Sequence, residues 1–302
     1  MLIADVERYV ALRQALGFKL REASMNLQAF ARFAADRGET HIRASTAVAW
    51  ATEASSLSAR YVRLRDVMGL ARFLHTEDPV HEVPSHLFPA PKQRPLPYIY
   101  TPEEIARLVG AAQHLRKTYP LRRQVYATLI GLIASTGLRV SEALDLRLAD
   151  VLPEGVLLIR RAKFGKSRLV PLHPTAKTAL GRYLEARRQL VVTDDHLFLS
   201  AGNRRISSTT VGYTFARMRR LAGIAPARTR PPRIHDLRHT VATRALEQCP
   251  TDREAVARHF VALATYLGHT DITHTYWYLE ATPELMIGLA DAAETLFGKE
   301  EV

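Results

Sequence analysis

Arg139, Lys163, His235, Arg238, His269 and Tyr278 are side chains of the types that attack and stabilise a phosphodiester without a metal. His235-Asp236-Leu237-Arg238-His239 supplies two of them, Leu267-Gly268-His269 a third, and Tyr278 follows that histidine by nine residues. Arg139 lies upstream in Thr136-Gly137-Leu138-Arg139-Val140-Ser141-Glu142, and Lys163 opens Lys163-Phe164-Gly165-Lys166. Transesterification at phosphorus passes through a five-coordinate state with extra negative charge, so it needs cations and donors fixed around the non-bridging oxygens. Arginine suits this role because its planar fork matches phosphate oxygens and stays charged at any working pH. A phenol, with a free pKa of about 10, becomes a nucleophile only where cations and a base favour its phenolate. The leaving alkoxide needs a proton, which a lysine on a hairpin can bring.

Each residue alone has a plainer reading. An arginine after Thr-Gly-Leu is ordinarily a surface or helix-end charge, and Lys163 with Lys166 would be a basic turn. His239 would be a core histidine, and Tyr276, Trp277 and Tyr278 core aromatics. The conjunction decides, because several partly independent motifs stand in one order. A zinc site is a further reading, since His235 and His239 are spaced i, i+4 with Asp236 between them. The zincin pattern needs Glu at that second position, and Arg238 beside the imidazoles would repel a dication. No metal and no cofactor is expected.

Composition bounds the partner. The 302 residues carry 42 Lys+Arg against 30 Asp+Glu, a net charge of +12, with 47% hydrophobic content. Up to Pro97 there are 13 Lys+Arg against 10 Asp+Glu, and beyond it 29 against 20, so the basic excess accompanies the candidate catalytic residues. A polyanion-binding surface requires that distribution. A single cysteine, Cys249, excludes an intramolecular disulfide framework and suits a reducing compartment. The first ten residues contain Asp5, Glu7 and Arg8 and read as an amphipathic helix rather than a signal peptide. No uninterrupted apolar run approaches the ~18 residues of a membrane span. A cytoplasmic protein with no membrane partner is expected.

Apolar residues at helical spacing over Val6–Leu16, Met25–Ala35, Thr46–Ala54 and Ser58–Leu74 predict a small helical N-terminal unit. From Thr76 to Tyr100 the pattern fails, and six prolines with Lys92 and Arg94 describe an extended basic linker. The expected domains are 1–80, a linker over 81–100, and 101–302. Thr101-Pro102-Glu103-Glu104 opens the second domain with an N-cap, a proline at the first helical position and a capping-box glutamate. Leu121–Ser135 predicts an apolar helix that ends near Gly137 and leaves Arg139 just beyond it. Gly155–Arg161 and Arg168–Leu172 predict two strands of a hairpin that carries Lys163. Helices are expected at Thr175–Gln189, Ser208–Ala222, His235–Glu247, Asp252–Tyr266 and Pro283–Leu296. The fold class is therefore mainly α with a small β-sheet, an α+β catalytic domain behind a helical one.

Arg139, Lys163, His235, Arg238, His269 and Tyr278, in this order, resemble the tyrosine recombinase (phage integrase) family. The resemblance implies a helical core-binding, SAM-like DNA-binding domain and a catalytic domain that together clamp double-stranded DNA. It implies attack by Tyr278 on a scissile phosphate, a 3′-phosphotyrosyl intermediate and release of a 5′-hydroxyl, with no cofactor. In family terms Arg139 and Arg238 hold the phosphate, Lys163 is the general acid, and His235 and His269 donate hydrogen bonds or relay protons. Glu142 orients Arg139. The implied assembly is a homotetramer on paired DNA sites, monomeric or dimeric when free, working in a bacterial nucleoid with or without accessory recombinases. Thr275–Pro283 and Ala11–Lys19 are similar to integrases carried by transposons and other mobile elements.

Tyr276 competes with Tyr278 as nucleophile, since two residues apart on a helix they point about 200° apart and only one can face the phosphate. The family's nine-residue step from the Leu-Gly-His histidine selects Tyr278. Type IB topoisomerase activity and a catalytically silent DNA-binding regulator are the alternative functions. The first would relax a plasmid that lacks any recombination site. The second would have no need to keep a nucleophile, two phosphate clamps and a general acid together.

Overall fold

The computed structural model describes residues 2–18, 20–89, 96–160, 167–224, 230–249 and 252–268. Lys163, His269, Tyr276, Tyr278 and the helix expected over Pro283–Leu296 lie outside the described residues. The chain divides into two compact units, Met1–Pro95 and Leu96–Val302. As expected from the sequence, it is mainly helical with one small antiparallel sheet.

In the first unit α1 (Leu2–Ala15), α2 (Arg21–Ala35), α3 (Ala44–Thr52) and α4 (Leu57–His75) pack around Leu27, Phe30, Trp50, Leu64, Val67 and Leu70. Alanines 31, 34, 47 and 51 are fully buried, which lets the helices approach closely. α1 covers residues 2–10 of the first ten expected to be helical, and α2 begins four residues before the expected Met25, because its polar first turn carries no apolar periodicity. Ser56 caps α4 by accepting the Ala59 N–H at 3.2 Å.

The proline-rich segment is tied down at both ends. Glu82 donates its N–H to the Ile42 carbonyl at 2.9 Å and accepts the Ala44 N–H at 2.8 Å, while His81 is buried against the first unit. Tyr100, fully buried in the second unit, donates its N–H to Thr240 Oγ1 at 3.0 Å and accepts Arg244 Nη2 on its carbonyl at 2.6 Å. Its described residues, 76–89 and 96–100, are not helical, and Glu82 and Tyr100 bond to what lies alongside.

The second unit opens with α5 (Pro102–Ala111), whose capping box is complete: Glu104 N–H to Thr101 Oγ1 at 3.2 Å and Thr101 N–H to Glu104 Oε2 at 3.0 Å. α6 (Arg122–Thr136) runs through the core with Val125, Tyr126, Leu129, Ile130, Leu132 and Ile133 buried. It stops at Gly137, whose φ of +64° belongs to the left-handed region that favours glycine. α7 (Val140–Asp145) follows directly. β1 (Val151–Leu152), β2 (Val156–Ile159) and β3 (Arg168–Pro171) make an antiparallel sheet in that order, with Val156 opposite Pro171 and Ile159 opposite Arg168. β1 was not anticipated, because two residues are too few for an alternating pattern to show. α8 (Pro174–Arg188), α9 (Ser208–Leu221), α10 (Ile234–Glu247) and α11 (Arg253–Leu267) complete the described elements. Among the described residues no helix is long and apolar enough to cross a membrane.

Candidate active site

Two helix ends meet at the site. α6 closes on Gly137 and α11 on Gly268, both left-handed, with φ of +64° and +69°. A Cβ on Gly137 would come within 2.9 Å of Leu267 Cδ2, so the two ends are in contact and only glycine fits there. The last carbonyls of a helix lack intrahelical donors and carry its negative dipole end. Here arginines serve them. Arg238 donates from Nη1 to the Gly137 carbonyl at 2.7 Å and from Nη2 to the Leu267 carbonyl at 2.8 Å. One fork thus bridges both helix ends, and the side chain is only 2% exposed. Arg139 donates from Nη2 to the Gly268 carbonyl at 3.0 Å and keeps a quarter of its side chain open.

Glu142 organises the same corner. At the third position of α7 its Oε2 accepts the Arg139 N–H at 3.0 Å, which caps the helix, while Oε1 accepts Arg139 Nη1 at 2.7 Å. Arg168 in β3 approaches both oxygens, Nη1 to Oε1 at 3.1 Å and Nη2 to Oε2 at 2.8 Å. Its Nε reaches the Tyr266 carbonyl at 2.8 Å. Burial by itself would push the Glu142 carboxyl up, but Arg168, with Arg139 behind it, more than offsets this and holds the group down to about 2. Glu142 is a carboxylate at any working pH.

His235 and His239 lie one turn apart near the start of α10, with ring centroids 4.7 Å apart in an edge-to-face arrangement. Burial, then the charges of Arg238, Arg233 and Arg139, pull His235 below the ordinary imidazole range against the opposing pull of Asp236. Burial, then His235 and the neighbouring arginines, bring His239 down to about 3. Both imidazoles are neutral at pH 7, able to donate from one nitrogen and accept at the other. Asp236 accepts the Arg233 N–H at 2.7 Å and Arg233 Nη2 at 3.2 Å, so it starts the helix rather than facing the imidazoles. That leaves the zinc reading without its acid.

The described structure therefore brings Arg139, Glu142, His235 and Arg238 together around two touching turns. Arg168 is the residue that sequence reasoning missed. Its signal was present in the strand: Arg168 shares the inward side with buried Val170, while Leu169 between them is exposed. An arginine at an inward register position needs a buried partner.

Two other groups have metal-ligand residue types among the described residues, His41 with Asp78 and His81, and Asp194 with Asp195 and His196. His81 accepts the Ile42 N–H on Nδ1 at 3.1 Å, which leaves the proton on Nε2, the nitrogen that a metal would need. Asp194 spends Oδ1 on the His196 N–H at 2.9 Å and Oδ2 on the Arg205 N–H at 3.2 Å, and Asp195 pairs with Arg147 at 2.6 Å. Both groups read as hydrogen-bonded structure.

Comparison with known proteins gives the same direction. Residues 99–284 match the phage integrase family. A putative integrase/recombinase, y4rB of Sinorhizobium fredii, is 38% identical over 292 residues, 93% of this chain and 93% of that protein. Tyrosine recombinase XerD of Caulobacter vibrioides is 35% identical over 207 residues, 67% of this chain and 63% of that protein. Two solved structures share the fold. The Tn1549 transposon integrase, in complex with transposon right end DNA, aligns with a TM-score of 0.66 at 17% identity over 95% of this chain and 98% of that one. A lambda integrase tetramer bound to a Holliday junction aligns with a TM-score of 0.65 at 20% identity over 91% of this chain and 76% of that one. With a family match over more than half its length and a relative alike across nearly all of it, this chain belongs to the phage integrase family, the tyrosine-type site-specific DNA recombinases.

Proposed function

We propose that this recombinase cuts and rejoins double-stranded DNA with Tyr278 as nucleophile and a 3′-phosphotyrosyl enzyme as the intermediate. The Tyr278 hydroxyl passes its proton to the histidine relay as its oxygen bonds to the scissile phosphorus and the bond to the 5′-oxygen breaks, and Lys163 gives that 5′-oxygen a proton. Attack by the freed 5′-hydroxyl of a partner strand releases the tyrosine and reseals the backbone. Each step exchanges one phosphodiester for another, so neither ATP nor a cofactor enters the balance. Arg139 and Arg238 hold the phosphate, Glu142 orients Arg139, and neutral His235 with His269 donates hydrogen bonds or relays protons.

The observation that carries this reading is the shared anchorage of the two arginines. They come from motifs 99 residues apart, yet Arg139 is bonded to the Gly268 carbonyl and Arg238 to the Leu267 carbonyl, directly before His269. Cations fixed in this way need no reorganisation when charge develops on a phosphate. Residues 1–80 act as the core-binding DNA-binding domain and residues 101–302 as the catalytic domain. Four copies assemble on paired sites, and the DNA substrate puts the protein with the nucleoid in the cytoplasm.

A duplex selected from random sequence by its binding to the protein, then nicked to form a suicide substrate, tests the reading. Wild type is expected to leave a covalent adduct that survives denaturant, with the DNA on a peptide that contains Tyr278. Tyr278→Phe is expected to bind and form none, because phenylalanine keeps the ring and deletes the nucleophilic oxygen. An adduct that persists in Tyr278→Phe and vanishes in Tyr276→Phe would move the nucleophile. Specific binding with no adduct in any form would identify a silent regulator, and relaxation of a plasmid lacking the site would identify a topoisomerase.

A further inference from the structure

We propose that Arg168 is a positioning residue for strand cleavage: by taking up the charge of Glu142 it leaves Arg139 cationic toward the phosphate, and it ties strand β3 to the turn at Gly268. The proposal rests on the function proposed above. Glu142 is shared unequally. Arg168 forks across both carboxylate oxygens, at 3.1 and 2.8 Å, whereas the Arg139 side chain takes one, at 2.7 Å. Paired with Arg139 alone, the carboxylate would cancel that arginine's charge. With Arg168 included, the three groups carry a net charge of +1. The Arg168 and Glu142 side chains are 9% and 7% exposed, so this difference is felt at a lower dielectric than a surface pair would feel.

The same guanidinium reaches the helix end that precedes His269. Arg168 Nε donates to the Tyr266 carbonyl at 2.8 Å, and a Cβ on Gly268 would come within 2.6 Å of Arg168 Nη1. All three of its nitrogens are engaged, the two Nη atoms on the Glu142 carboxylate and Nε on the Tyr266 carbonyl. Lysine offers a single point of charge and cannot copy that pattern. Arg168 also stands five residues after Lys163 on the strand that leaves the expected hairpin. One side chain therefore links the carboxylate that holds Arg139, the turn before His269 and the strand that follows Lys163.

A purely architectural ion pair would look similar, and the two roles differ in how they respond to removing both partners. Single-turnover cleavage of the nicked duplex, at saturating protein and well below the melting temperature, would be measured for wild type, R168M, E142Q and R168M/E142Q. Only variants with wild-type circular dichroism and duplex affinity would be compared. R168M is expected to cleave on the order of 30-fold more slowly, because the unshared carboxylate cancels Arg139. Adding E142Q is expected to recover about tenfold of that loss, a coupling with the opposite sign to two accumulating defects. R168M at the wild-type rate, or a double variant no faster than R168M, would overturn the proposal. If R168M does not fold, R168K carries the test: it keeps the charge and loses the fork, so it is expected to cleave about fivefold more slowly than wild type, and a loss as large as about 30-fold at unchanged affinity would overturn the charge role. Wild type that forms no adduct would instead refute the recombinase mechanism itself.

Discussion

In the N-terminal unit Arg8 meets Glu77 and Arg43 meets Glu82 with every partner about half exposed, whereas in the second unit Arg168 meets Glu142 almost out of water. Exposed pairs gain little, since water screens them and two long side chains lose freedom. A buried pair must recover a large desolvation cost through several well-made bonds. Arg238, Arg168 and Glu142 do so with helix-end carbonyls and each other. Apolar residues of similar volume would hold such a corner at least as well. Cations fixed beside neutral imidazoles therefore point to chemistry, and the exposed pairs of the first unit carry no such implication.

The comparison predicts its largest effects at Arg238. Arg238→Ala is expected to lower cleavage by about 10²- to 10³-fold, as loss of a fixed transition-state donor does elsewhere. It also strands two buried carbonyls, at about 1–3 kcal/mol each, so its melting temperature should fall. Arg139→Ala should match the loss of cleavage with a smaller thermal cost, because its side chain is a quarter exposed. Cleavage on the suicide duplex, affinity by gel shift and calorimetry separate the effects. Equal melting temperatures for the two variants would show that Arg238 is no more structural than Arg139.

Acid should find the same boundary. The Glu142 carboxyl lies below its ordinary value, at about 2, so its contribution is fully present above the unfolded value near 4.5 and is lost as pH falls towards 2. The linked stability is at most ~3 kcal/mol. Glu142→Gln should flatten the acid limb of the stability curve in that window, in urea titrations at successive pH values. An unchanged slope would mean that Arg168 and Arg139 do not hold the carboxylate as described.

How far this corner could be read from sequence depended on how local its cause is. The apolar run of α6, its glycine stop and the position of Arg139 follow from neighbouring residues, as does the Thr101–Glu104 capping box. Arg168 bonds to a carboxylate 26 residues away and a carbonyl 98 residues away, and no periodicity encodes such a bond. Glu142 was legible as the partner of Arg139 three residues before it, while its second arginine was not. Asp236 stood at the acid position of a zincin-like spacing, yet it caps α10, because an aspartate at the third position of a helix meets the free N–H of the residue that precedes the helix. The described residues 76–89 and 96–100 of the proline-rich segment were legible as non-helical, but the Glu82 and Tyr100 attachments depend on the surfaces beside them.

Gly268→Ala sharpens the comparison at a smaller scale. An alanine at φ +69° costs about 1–2 kcal/mol, and its methyl group would press on Arg168 at 2.6 Å. Cleavage should therefore drop even where the melting temperature changes modestly, and kinetics read beside calorimetry would show it. A variant that melts lower yet cleaves at the wild-type rate would show that the turn supports the fold and leaves the arginines where they are.

The smallest effect is expected at Arg43. Arg43→Ala removes an ion pair at 3.0 Å between two half-exposed side chains. Glu82 keeps its stronger tie, the Ala44 N–H at 2.8 Å, which caps α3 whether or not the arginine is present. Water replaces the lost guanidinium at little cost, and the side-chain freedom regained offsets the Coulomb attraction surrendered. The melting temperature should match wild type, in low salt as in high, and cleavage of the selected duplex should be unchanged once the protein is bound. A weaker gel-shift affinity with a reduced salt slope would fit a phosphate contact by this arginine. A fall in melting temperature as large as that of Glu142→Gln would break the comparison, since an exposed pair would then be holding its unit together as firmly as the buried one.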